Sequence, residues 1–192
     1  MNVFPIGHYV GERHPDGVHV VRVGLAHRTL TPDEFGVWVL AHGAGAATTW
    51  TEADVTALAE QAELPSPEAV VDRLAETGLL ARVTPQTQVA FAEGHRLEPL
   101  LVGLGNAPEL PETYAVGLPG QPPVAMLDGG SYELWQWSAL APSLWHTCEV
   151  RAKVGAGMGD PTPAADLVGD LLDDLRPLLA NSCAYLDTAR QG

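Results

Sequence analysis

Seven histidines and two cysteines are the residues of this 192-residue chain whose types suit metal binding, proton transfer or nucleophilic attack. His8, His14, His19 and His27 fall close together, but none has the i, i+4 spacing that puts two zinc-binding imidazoles on one helix face. His146 and Cys148 are two positions apart, which on a helix points them about 200° away from each other. Cys148 and Cys183 make neither a metal-ligand spacing nor a disulfide framework, and they fit a reduced cytosolic setting. Only ligands converging from distant segments escape this argument from spacing.

Gly43-Ala44-Gly45-Ala46-Ala47-Thr48-Thr49 has the small residues of a phosphate loop without its lysine, and it follows a helical pattern rather than a strand. Gly103-Leu104-Gly105 lacks the third glycine of a dinucleotide fingerprint. Gly155-Ala156-Gly157-Met158-Gly159 reads as a linker between helices. No Ser-His-Asp or Cys-His set is marked locally. The expectation is a protein with no catalytic residues, no metal and no cofactor.

What remains is recognition, and charge restricts it. The chain carries 24 acidic and 10 basic residues, a net charge of −14, with Lys153 its only lysine. Such a balance disfavours polyanions and anionic membrane surfaces. The start of the chain lacks the basic and apolar runs of a signal peptide, and no apolar run reaches the roughly 18 residues of a membrane span. A cytoplasmic protein is expected. With 46% hydrophobic residues, the chain has ample material for one large or two small cores.

The elements that would position a binding surface follow from local signals. Val3–Val10 and Val18–Leu25 read as strands around the turn Pro15-Asp16-Gly17, with a short third strand at His27–Leu30. Thr31-Pro32-Asp33-Glu34 starts a first helix with a hydroxyl cap, a proline and two acids. Its inward stripe is Phe35, Trp38 and Val39, and Gly43 closes it. Thr51 caps a second helix. Ser66-Pro67-Glu68 opens a third by the same rule, with Val70, Val71 and Leu74 inward and Gly78 at the end. Leu79–Val83 and Thr87–Phe91 then read as a wing hairpin around Thr84-Pro85-Gln86. This is the order of a winged helix-turn-helix, and residues 1–91 make one complete unit.

Residues 92–192 read as a second, diverged copy: a hairpin at Tyr114–Leu118 and Pro123–Leu127, then helices at Tyr132–Trp137, Ser143–Val154 and Ala164–Arg176. Pro177 is expected to end or kink the last. In this reading Trp38 matches Trp135 or Trp137, and Leu74 matches Leu175. An unrelated α/β cap packed on a single winged helix is the alternative. The fold class expected is α/β (α+β), with tandem winged-helix-like domains that are rich in helix and carry small antiparallel hairpins. Neither half holds a basic reading head: residues 1–91 carry 11 acids and 5 bases, and residues 92–192 carry 13 and 5. Trp38, Trp135 and Trp145 are expected in cores. Trp50 and Trp137 are the candidates for an interface, because aromatic residues concentrate there.

Asp16-Gly17, the strand Val18–Leu25, Leu30-Thr31 at the helix entry, Ala41-His42-Gly43 and Val70–Leu80 together resemble the PqqD-like winged helices, the leader-peptide recognition elements of ribosomal peptide biosynthesis. The resemblance covers residues 1–85. It implies that a peptide adds as a strand beside His27–Leu30 and lies against the third helix. The implied contacts are Arg22, His27, Arg28, Thr29 and Arg73, on a non-enzymatic module whose partner is a peptide or protein. The rival reading is a winged-helix transcription regulator that binds DNA as a dimer. The acidic third helix speaks against it, since nucleic-acid affinity comes mostly from Lys and Arg at phosphates.

Overall fold

The computed structural model describes every residue except Gly45, Ala46, Thr48, Gln191 and Gly192. Three residues of the segment weighed as a phosphate loop therefore lie outside the described residues. Mixed α/β structure is shown, with seven helices and four small antiparallel sheets among those described.

The first half runs β1 (Asn2–Pro5), β2 (His8–Arg13), β3 (Val18–Val23), β4 (Ala26–Leu30), α1 (Pro32–Leu40), α2 (Glu52–Gln61), α3 (Pro67–Glu76) and β5 (Leu80–Val83). Strands β2-β3-β4 form a meander, and β1 pairs antiparallel with β5. After α4 (Gln88–Gly94) the same order returns. It runs β6 (His95–Pro99), β7 (Val102–Ala107), β8 (Leu110–Gly117), β9 (Ala125–Leu127), α5 (Gly129–Ser138), α6 (Leu144–Gly157), α7 (Val168–Ala180) and β10 (Ala184–Thr188). Here β7-β8-β9 is the meander, and β6 pairs antiparallel with β10.

Equivalent residues can be read from the pairings. Val21 faces Tyr9 and Arg28 across the first meander, and Val116 faces Gly103 and Ala125 across the second. On the first helices Phe35 and Trp38 take the places of Tyr132 and Trp135. His19 stacks on Phe35 with ring planes 13° apart, and Tyr114 stacks on Tyr132 at the same angle. At the end of the third helices, Leu79 N–H donates to Leu74 O and Cys183 N–H donates to Leu178 O. Leu74 is thus matched by Leu178 rather than by Leu175, which lies one turn earlier.

Local chemistry explains the helix starts. Thr31 and Thr51 each form a full capping box, with Glu34 and Asp54 returning the bond, worth about 1 kcal/mol each. Ser66 departs from expectation: its backbone is left-handed and its side chain makes no cap bond. The expected Val3–Val10 strand is broken into β1 and β2 at Gly7, whose φ is +103°. A Cβ there would lie 2.5 Å from Val21 Cγ1.

Two further expectations are corrected. The wing hairpin does not form, because β5 takes β1 as its partner and Thr87–Phe91 enters α4 instead. Phe91 turns inward there and stacks on Phe4 at 5.1 Å. Pro177 does not stop α7, which continues to Ala180 with Leu178 and Leu179 fully buried. Burial of that last turn outweighs the one backbone bond that proline removes.

Among the described residues there are two cores, and β1 is a wall between them. Val3 packs with Val21, Val37, Trp38, Val71 and Leu74 in the first. Phe4 and Ile6 pack with Leu97, Leu134, Leu171, Leu175 and Leu186 in the second. The alternation of a strand sends successive side chains to opposite faces, so four residues serve both halves. Helix α4 rests on α6 and α7, so packing assigns it to the second half although its residues Gln88–Phe91 precede residue 92.

Polar contacts then close the seam between the halves. Gly7 N–H donates to Leu186 O. Asp187, fully buried, accepts from Gly24 N–H at 2.6 Å and from the guanidinium groups of Arg22 at 3.3 Å and Arg96 at 3.5 Å. Arg176 is also buried; it donates to the carbonyls of Val3 and Trp50, and its guanidinium lies 3.8 Å from the Phe4 ring centroid. Burial pulls its pKa down to about 10, so it stays charged at neutral pH.

Candidate functional site

The β2-β3-β4 meander leaves β4 bonded to β3 on one side and to no strand on the other, among the described residues. Its position is fixed at both ends. The Gly24-Leu25 turn before it is held by Asp187, and Leu30 is buried where the strand meets the Thr31 cap. Between these anchors His27, Arg28 and Thr29 are exposed. Arg28 pairs across the ladder with the buried Val21, and it shares the helix-facing side of the sheet with Leu30. It therefore borders the space between β4 and the helices, where an added strand would lie.

The other two implied contacts are occupied. Arg22 donates to Gly24 O at 2.8 Å, to Tyr185 Oη at 2.7 Å and to Asp187, so it ties β3 to β10. Arg73 is 2.7 Å from Glu34, whose other carboxylate oxygen accepts from Thr31 N–H. That pair braces α3 against the start of α1. The structure thus brings His27, Arg28 and Thr29 together and assigns Arg22 and Arg73 to internal bonds.

Of the two tryptophans expected at an interface, Trp50 is half-buried. Its Nε1–H donates to Leu40 O at 2.9 Å, and its carbonyl takes Arg176. Trp137 is 53% exposed, and with Leu140, Val150 and Val154 it lines a groove of about 410 Å³. The groove exists because α6 packs more on α4 than on α5 or α7, whereas α1, α2 and α3 close on one another.

The two cysteines sit in surroundings that quiet their thiols. Burial pushes the Cys148 and Cys183 thiols up to about 11, which keeps them protonated and poor nucleophiles at neutral pH. No group of three or more His, Cys, Asp or Glu residues suited to a metal ion occurs among the described residues. No described helix is long and apolar enough to cross a membrane. Compared with known proteins, the chain matches no family model, no curated protein and no solved structure.

Proposed function

We propose that this chain is a cytoplasmic, non-enzymatic binding protein of two winged-helix-like halves that meet before α4, and that it takes an extended peptide along β4. Its role would be that of the PqqD-like recognition elements, presenting a peptide to the enzymes that modify it. The observation that carries this reading is Arg28. Among the described residues, the other eight arginines each hold a carboxylate, a hydroxyl or a carbonyl. Arg28 has none, and it lies on the strand whose second edge is open. In a chain of net charge −14, a lone unpaired guanidinium beside an open edge suits a peptide that adds as a strand and offers a carboxylate.

A peptide-display selection on the purified protein, followed by calorimetry, tests this. Selected peptides are expected to carry Asp or Glu. Arg28→Glu is expected to weaken them roughly tenfold or more while leaving the melting temperature nearly unchanged, as exposed charge changes do. Unchanged affinity would remove β4 as the binding edge.

The rival regulator makes the opposite forecast. Helix α3 carries Glu68, Asp72 and Glu76, and Arg82 beside it is held by Glu52 and Asp72. Duplex DNA is therefore expected to bind no tighter than about 10⁻⁴ M at physiological salt. Sub-micromolar, salt-sensitive affinity in an anisotropy titration would favour the regulator instead.

A further inference from the structure

A cleft of about 400 Å³ lies where α1 of the first half meets the end of α7 and β10. It is within the size range of small-molecule sites and is lined chiefly by rings: His8, Tyr9, Phe35, Trp38, His42 and Tyr185. The rings are ordered by contact with one another. Tyr9 packs on Phe35 at 4.6 Å, Phe35 on Trp38 at 6.0 Å, Trp38 edge-on to His42 at 4.5 Å, and His8 on Tyr185 at 4.7 Å.

One wall is polar in a defined way. His42 Nδ1 lies 3.1 Å from Trp38 O and 3.2 Å from Val39 O. A carbonyl cannot donate, so Nδ1 carries the proton and Nε2 carries the lone pair. Nε2 makes no hydrogen bond within the protein among the described residues. Burial holds the ring's pKa down to about 4, so it is neutral, and an acceptor, at neutral pH.

The second half shows that none of this is required by the fold. The stack of His19, Phe35 and Trp38 recurs there as Tyr114, Tyr132 and Trp135. Tyr9, however, is matched by Gly103, where a Cβ would collide with Tyr132 Oη at 2.7 Å. His42 is matched by Ala139, nine residues on from Gly130 just as His42 follows Asp33 by nine. The extra ring and the free acceptor belong to the first half alone.

We propose that this cleft binds a planar aromatic molecule carrying one N–H or O–H donor, lying against the cleft's aromatic wall and hydrogen-bonded to His42 Nε2. The site uses β2 and β10, away from β4, so it stands independently of the strand-edge reading.

Indole and 1-methylindole are the probes, the second having the same ring without the donor. Titration by amide NMR is expected to shift Tyr9, Trp38 and Gly43, with 1-methylindole binding roughly tenfold more weakly. His42→Phe keeps a ring and removes the acceptor, and it is expected to erase the difference between the two probes. Ala180→Leu, which places a larger apolar side chain in the cleft, is expected to abolish both. Arg28→Glu is expected to change neither, so that failure here and failure at β4 are separable. Absence of shifts with millimolar indole, equal binding of the two probes to the unaltered protein, or an unchanged preference in His42→Phe would overturn the proposal. If His42→Phe fails to fold, indole binding retained in Ala180→Leu overturns it equally.

Discussion

Replacing Asp187 with Ala is expected to destabilise the protein by about 3–5 kcal/mol, the usual cost of removing one partner from a buried ion pair. The carboxylate is fully buried, and it receives two backbone N–H groups and two guanidinium groups. Its loss strands Gly24 N–H and leaves Arg22 with only Gly24 O and Tyr185 Oη. Arg96 keeps Glu98 as a partner, so the penalty falls mostly on the β3–β4 turn. Asp187→Asn retains an acceptor for Gly24 and should lose less. Urea unfolding monitored by circular dichroism gives both values. A loss under about 1 kcal/mol for Asp187→Ala would mean that water replaces the carboxylate at the seam without cost.

The second large effect tests the internal repeat. Leu74→Ala and Leu178→Ala should each cost about 2–5 kcal/mol, since both are buried leucines whose removal leaves a cavity. Leu74 is 1% exposed and Leu178 0%, and each offers its carbonyl to the residue five positions on. Similar losses at unchanged m-value are the expected result in parallel urea titrations. A loss near zero at either position would show that the two sites differ in packing despite their shared backbone pattern.

The helices were legible because their signals are local. Thr31 with Glu34 and Thr51 with Asp54 lie three residues apart, and a capping box needs nothing else. Inward stripes placed Trp38, Val71 and Leu74 correctly for the same reason, but Val39 is 45% exposed and Val37 is buried in its place. The wing was not legible, because the partner of β5 is β1, at the other end of the half, and no spacing near Thr84 announces it. The turn signal there was sound: Thr87 Oγ1 accepts from Thr84 N–H at 2.9 Å. It opened a helix, however, and not a second strand.

At the candidate site, a short strand was expected at His27–Leu30 and β4 spans Ala26–Leu30, whereas His27, Arg28 and Thr29 were singled out only by the resemblance to PqqD-like elements. Arg22 and Arg73 were beyond reach, since their partners, Asp187 and Glu34, become neighbours only in the folded chain. The aromatic cleft left a weak trace in Phe35, Trp38 and His42 at i, i+3 and i+7. Tyr9 and Tyr185 arrive from distant strands.

The seam has a kinetic consequence. Most of its bonds join residues 3–24 to residues 176–187, far apart in sequence. The first core, by contrast, is assembled within residues 3–80. Closing so long a loop costs entropy before any contact offsets it, and contacts of this range form slowly. The first three helices should therefore gather early, with Phe4 and Ile6 still facing water. The arrival of β10, which sets Asp187 over the Gly24 turn, is expected to come last. Until then the rim of the aromatic cleft lacks Tyr185 and the meander lacks its clamp, so both surfaces acquire their final shape in the same closing step.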